Sequence, residues 1–209
     1  MNRRILFPDK AVKGYDGMGS VVCNACIFFI TAILVLRVFR KDGKWSAANA
    51  RNAFRFFTVQ SNAFCALSAL CMLLYPASRW AFLFKYTGTA AVTVTMLTVF
   101  LFLGPSIGSL TPLLKGNDLF MHLITPLLAI FSFVLFEKRG LGFAAALLGM
   151  LPIVLYGCWY LYKILYAPAE KRWEDFYGYN KGGKWPAAFA GMMAGGFAVC
   201  MMLMGLQNC

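Results

Sequence analysis

The one histidine of the chain, His122, lies in Asp118-Leu-Phe-Met-His122-Leu-Ile-Thr-Pro126, just inside an apolar run. An ionisable ring in such a run is costly unless it meets a partner or a wet cavity, which reads as function. The plainer reading is a neutral ring tying two helices together through one hydrogen bond. A second unusual stretch is Arg55-Phe-Phe-Thr58-Val-Gln60-Ser61-Asn62, with five hydrogen-bonding side chains in eight positions. At helical spacing Arg55, Thr58 and Asn62 share one face and Ser61 lies beside them. Thr and Ser also bond back to their own helix, and Asn or Gln join helices, so this stretch too has a structural reading. A hydroxyl near an imidazole suits nucleophilic acyl transfer, with His122 taking the Thr58 proton as Oγ attacks a carbonyl. Asp118, four residues before His122, is placed either to orient the ring or to cap its helix. A lone histidine cannot supply both axial ligands of a bis-histidine haem, and no Asp, Glu or Cys cluster stands near it at metal spacing. Neither metal nor cofactor is expected.

The elements that must hold these groups are membrane helices. Of 209 residues, 60% are hydrophobic and 13% charged, and the mean hydropathy is +0.66. A soluble domain carries roughly 25% charged residues. Runs of about 20 nearly uncharged residues recur, each long enough to cross a bilayer core of ~30 Å. Charges and turn residues bound spans near 19–39, 54–75, 80–103, 118–136, 141–165 and 185–206. The expected fold is all-α, a single six-helix membrane domain without internal repeat. The second and fourth spans both start after odd-numbered loops, hence on one membrane face. Thr58 and His122 each lie about four residues into their spans, so both sit ~6 Å below that surface. The long fifth loop, Ala167 to Lys184, closes over the same face; its aromatic residues suit an interfacial belt first and a lid or rim second.

The net charge of +12 raises the question of nucleic acid. Nearly all Lys and Arg lie between apolar runs, where they meet headgroups and set topology, so the expected surroundings are a bilayer and no nucleic acid. Twelve of these cations flank the odd loops and eight, including Lys85 and Lys138, flank the opposite face, a lean toward cytoplasmic odd loops. Arg3, Arg4, Lys10 and Lys13 precede the first run and no small-residue cleavage site follows, which reads as a retained first helix. The seven cysteines lie nearly all inside apolar runs and form no disulfide framework.

The motifs Phe56-Phe57-Thr58-Val59-Gln60-Ser61-Asn62 and His122-Leu-Ile-Thr-Pro126 resemble the membrane threonine hydrolases typified by the androgen-induced and androgen-dependent TFPI-regulating proteins and their bacterial relatives. The six-span layout matches along most of the chain, and both short motifs match that family's FTxQSN and HxxxP patterns. The fifth loop departs: Tyr177-Gly-Tyr179-Asn-Lys-Gly-Gly-Lys-Trp-Pro186 stands where bacterial relatives carry a compact Tyr- and Pro-rich stretch. The resemblance implies a multi-pass protein of a bacterial cell membrane that hydrolyses fatty acid esters of hydroxy fatty acids. Thr58 would be the nucleophile and His122 the general base. Asn62, Gln60 and Ser61 are then candidates to stabilise the oxyanion, and Arg55 is a candidate to hold a branched ester's carboxylate. A snorkelling boundary arginine is the other reading of Arg55.

Three other classes compete. Cys23-Asn-Ala-Cys26 is a C-x-x-C, but it sits at the opposite end from Thr58 and has no obvious second pair, so small-residue packing explains it more simply than thiol redox chemistry. A small-molecule or lipid transporter or binding protein is the main non-enzymatic alternative. Against it, every acidic residue, including Asp9, Asp16, Asp42 and Glu137, is expected at or beyond a span end, which leaves no buried acidic relay. A structural lipid-binding or assembly protein is the third.

Overall fold

The computed structural model describes residues 17–41 and 43–209. The basic N-terminal stretch with Arg3, Arg4, Lys10 and Lys13, and the acidic Asp9, Asp16 and Asp42, lie outside the described residues. Six helices are long and apolar enough to cross a bilayer: α1 (Gly17–Val38), α3 (Phe57–Leu74), α4 (Arg79–Ile107), α5 (Asn117–Phe136), α6 (Phe143–Tyr166) and α7 (Trp185–Asn208). A short hairpin, β1 (Arg40–Lys41) with β2 (Lys44–Trp45), and the seven-residue α2 (Ala47–Ala53) fill the first loop. The protein is an all-α, six-helix membrane bundle.

In hydrocarbon the helices gain nothing from hiding apolar surface, so close packing and internal hydrogen bonds hold them together. α3 packs against α1 and α4, α5 against α4 and α1, and α7 against α4 and the first half of α6. A Cβ at Gly88 would meet Ser68 Oγ at 2.6 Å, and one at Gly149 would meet Tyr86 at 2.8 Å, so glycine is what lets these helices touch. The main core joins α4, α6, α7 and the end of α5. Phe82 stacks on Phe133 with centroids 5.4 Å apart, and the Tyr86 hydroxyl donates to the Cys200 carbonyl at 2.8 Å.

Prolines shape the helices that carry the site. π-helical turns occupy Val99–Leu103, Phe120–Ile124 and Tyr162–Tyr166, and each ends two residues before a proline: Pro105, Pro126 or Pro168. Proline offers no N–H, and in each case the residue before it reaches five positions back. Gly104 N–H bonds Val99 O, Thr125 N–H bonds Phe120 O and Ala167 N–H bonds Tyr162 O. The third span therefore continues through the glycine and proline at 104–105 to Ile107, beyond the end expected at 103. The second starts at Phe57 and not at 54, because residues 54–56 form a turn after α2.

Two charges expected at span ends are inside the bundle. Lys85 and Glu137 are both fully buried, with 0% exposure. Lys85 Nζ donates to Asn24 Oδ1 at 2.7 Å. The Asn24 amide donates to Glu137 Oε1, which also accepts from Ser20 Oγ and Ser132 Oγ, each at 3.0 Å. Lys85 is thus no headgroup-facing topology signal, and the expectation that every acidic residue stays outside the bundle fails at Glu137. A charge with partners on neighbouring helices need not snorkel.

Candidate active site

Thr58 is the second residue of α3 and His122 lies in the π turn of α5. Thr58 Oγ1 and His122 Nε2 are 3.2 Å apart, within reach for proton transfer. His122 is 7% exposed, and its Nδ1 lies 2.7 Å from the Leu113 carbonyl in the loop before α5. A carbonyl can only accept, so Nδ1 carries the proton and Nε2 turns a free lone pair toward the threonine hydroxyl. Asp118, expected to orient the ring or cap the helix, does neither. It is exposed in the first turn of α5, whose N-cap Gly116 has no side-chain bond, and the loop carbonyl holds the place at Nδ1.

The break between α2 and α3 exposes the start of α3. The Phe54 carbonyl accepts from the Gln60 side chain at 2.7 Å, and the Arg55 carbonyl accepts from the Tyr156 hydroxyl at 2.8 Å. These are the carbonyls that Thr58 and Val59 would bond in an unbroken helix. Thr58 N–H has no acceptor among the described residues, and Phe57 N–H donates to the Tyr177 hydroxyl oxygen at 3.2 Å. Both N–H groups project from the positive end of an 18-residue helix.

The candidate oxyanion donors of α3 are otherwise engaged. Asn62 spends its amide on the Thr58 carbonyl at 2.8 Å and the Met121 carbonyl at 3.0 Å. Met121 O is orphaned by the π turn, since Thr125 N–H goes to Phe120 and Pro126 has none to give. Asn62 repairs that break and locks α3 to α5 at the depth of the site. Ser61 bonds Thr95 Oγ1 at 2.8 Å and the Thr58 carbonyl at 3.1 Å, which fixes α3 to α4. Gln60 is tied to Phe54 O and faces a groove on the outside of the bundle. Arg55 is exposed and its guanidinium lies over the Trp173 ring, 5.8 Å from the centroid. Of the seven residues singled out from the sequence, only Thr58 and His122 meet each other side chain to side chain.

The fifth loop is more than an interfacial belt. Asp175 Oδ1 accepts from the Tyr160 hydroxyl and from Tyr179 N–H, both at 2.9 Å, and Oδ2 accepts from Asn180 N–H at 2.7 Å. This knot carries Tyr177 over Phe57, and burial pushes its phenol up to about 12. Tyr177 therefore remains a hydroxyl donor through the neutral range. A small cavity is lined by Thr58 together with Thr95, Thr98, Tyr156, Tyr177 and Met192 among others. Tyr177 is the residue that sequence reading missed. It lies 120 positions from its partner, Phe57, and only its place in an aromatic loop assigned to the same membrane face hinted at it.

Comparison of the chain with family models, curated proteins and solved structures finds no match.

Proposed function

We propose that the protein is an intramembrane lipid esterase that uses Thr58 as nucleophile and His122 as general base. The observation that carries this reading is the pair itself: 3.2 Å from Oγ1 to Nε2, the ring's tautomer fixed by Leu113, and Thr58 opening on a cavity. As Thr58 Oγ attacks the ester carbonyl carbon, its proton passes to Nε2. The oxyanion meets Thr58 N–H and the Tyr177 hydroxyl, in a site where each such donor is worth about 3–4 kcal/mol. Collapse breaks the C–O bond, and the departing alkoxide takes the proton from Nε2. Water then attacks the acyl-threonine and gives its proton to Nε2, which returns it to Thr58 Oγ as the fatty acid leaves.

The proposed substrates are fatty acid esters of hydroxy fatty acids, in a bacterial cell membrane. The sequence resemblance supplies that class, and the apolar surroundings of Thr58 suit it. The buried Lys85 and Glu137 favour the second reading, a transporter or binding protein, because intramembrane charges often mark a translocation path. Neither Lys85 nor Glu137 lines the Thr58 cavity.

The test is covalent labelling of purified protein by a fluorophosphonate or carbamate probe, with the labelled peptide mapped. Label is expected on Thr58 in the wild type and is expected to be lost in both Thr58→Ala and His122→Ala, each still folded. A wild type that takes no label and cleaves no fatty ester ends the esterase reading.

A further inference from the structure

The Thr58 cavity runs into a larger one, and the two share Val94, Thr98, Leu103, Tyr177, Tyr179 and Met192 as walls. Apart from Ser106 the rest of the larger wall is apolar, with Leu97, Leu101 and Phe102 from α4 on one side and Ala187, Gly191 and Gly195 from α7 on the other. Gly191 and Gly195 are four residues apart on one face of α7. Small residues at that spacing usually let two helices touch, but here a Cβ added at either glycine meets nothing within 4 Å. The contrast with Gly157 of α6 is direct, where a Cβ would meet the Met192 methyl at 2.4 Å and the Phe189 ring at 3.1 Å. Gly191 and Gly195 therefore keep a space open and bring no helices of this chain together. Leu101 and Phe102 are 61% and 65% exposed, so the space opens sideways between α4 and α7 at the level of the hydrocarbon.

We infer that this chamber binds one unbranched hydrocarbon chain, the acyl chain of the ester, and that Gly191 and Gly195 set how much chain it admits. The inference rests on the esterase reading for the word acyl, but the binding of a chain does not depend on it. Continuity with Thr58 selects this chamber over the larger groove between α3 and α6. That groove meets the Thr58 cavity only at Phe57 and Tyr156, whose rings lie 4.9 Å apart as a partition. A chain in the α4–α7 chamber lies along the route to the nucleophile, and it arrives from the bilayer interior without crossing water.

Two measurements test this. A fatty acid with a diazirine at the chain end is photolysed with the full-length protein in nanodiscs, for the wild type, Thr58→Ala, Gly195→Ala and Gly195→Leu. Adducts are expected on residues 97–103 and 187–199 in the wild type and in Thr58→Ala alike, reduced in Gly195→Ala and lost in Gly195→Leu. Adducts confined to residues 60–67 or 148–159, or unchanged by Gly195→Leu, overturn the chamber. In parallel, hydrolysis of a long-chain ester is expected to fall ~10-fold or more in Gly195→Leu relative to an acetate ester, with Thr58 labelling by a small probe retained. Equal loss for both esters overturns the role of the glycines in admitting the chain. So does an oligomer that dissociates in Gly195→Leu while chain adducts persist, because α7 is then a contact between copies. If the wild type never labels at Thr58, the esterase reading fails, and the adduct map still decides whether a chain binds here.

Discussion

Two polar clusters lie at opposite ends of this bundle: Thr58 and Tyr177 are half-buried beside a cavity, whereas Lys85 and Glu137 are fully buried, and Glu137 Oε2 has no partner among the described residues. At one end Thr58, His122 and Tyr177 each keep capacity in reserve: a free N–H, a lone pair aimed at a hydroxyl, and a phenolic proton not needed for the bond the oxygen accepts. At the other end Glu137 Oε1 takes three donors, and the Asn24 side chain links that carboxylate to Lys85. The first cluster borders a cavity that the second does not line. Spare bonding capacity is present in both clusters, and what sets the first apart is that it faces a cavity.

The comparison is most easily broken at the architectural end. Glu137→Ala strands Lys85 without its nearby carboxylate, and a loss of about 3–5 kcal/mol in stability is expected, read as a lowered unfolding midpoint in detergent. Probe labelling of Thr58 in the fraction that stays folded is expected to be unchanged. Loss of labelling in folded Glu137→Ala would mean that the two clusters are coupled. At the other end, Tyr177→Phe removes the hydroxyl and keeps the ring. An effect of ~10²-fold on kcat is expected, with KM nearly unchanged and a loss of stability of no more than about 1–3 kcal/mol from the bond that Phe57 N–H makes to the hydroxyl. A pure loss of stability with normal turnover would make Tyr177 a loop clasp and nothing more. The smallest effect is expected from Asp118→Asn, within about twofold in rate, because the ring partner is Leu113 O and the aspartate is exposed. A large fall there would return Asp118 to the role that the structure withholds from it.

Much of the fold was legible because length and hydropathy are local properties. Each apolar run became a helix, and the helix ends moved by more than two residues only at the turn at 54–56, where the helix starts late, and at 104–105, which the helix runs through. Thr58 and His122 were legible because their types are expensive in lipid. Lys85 and Glu137 were not, since a charge a turn or two from a span end looks the same whether it snorkels or pairs across helices. The proposed oxyanion donors were hidden for a different reason. One is a backbone N–H freed by a helix break, and the other is a tyrosine brought in by a loop that Asp175 and Tyr160 tie down. Neither leaves a mark in a local motif, whereas Asn62, Gln60 and Ser61 did and turned out to hold helices and a turn together.

The Leu113 carbonyl that fixes the histidine tautomer also decides where mutational damage can fall. A side-chain partner for Nδ1 would vanish in an alanine scan, but an amide oxygen survives every substitution at its own position. Sensitivity then moves from the residue that makes the bond to those that steer the loop, chiefly Gly116 at φ 60°, where a side chain would be strained. A scan would report Leu113 as tolerant and Gly116 as intolerant, the reverse of their distances from the reacting atoms.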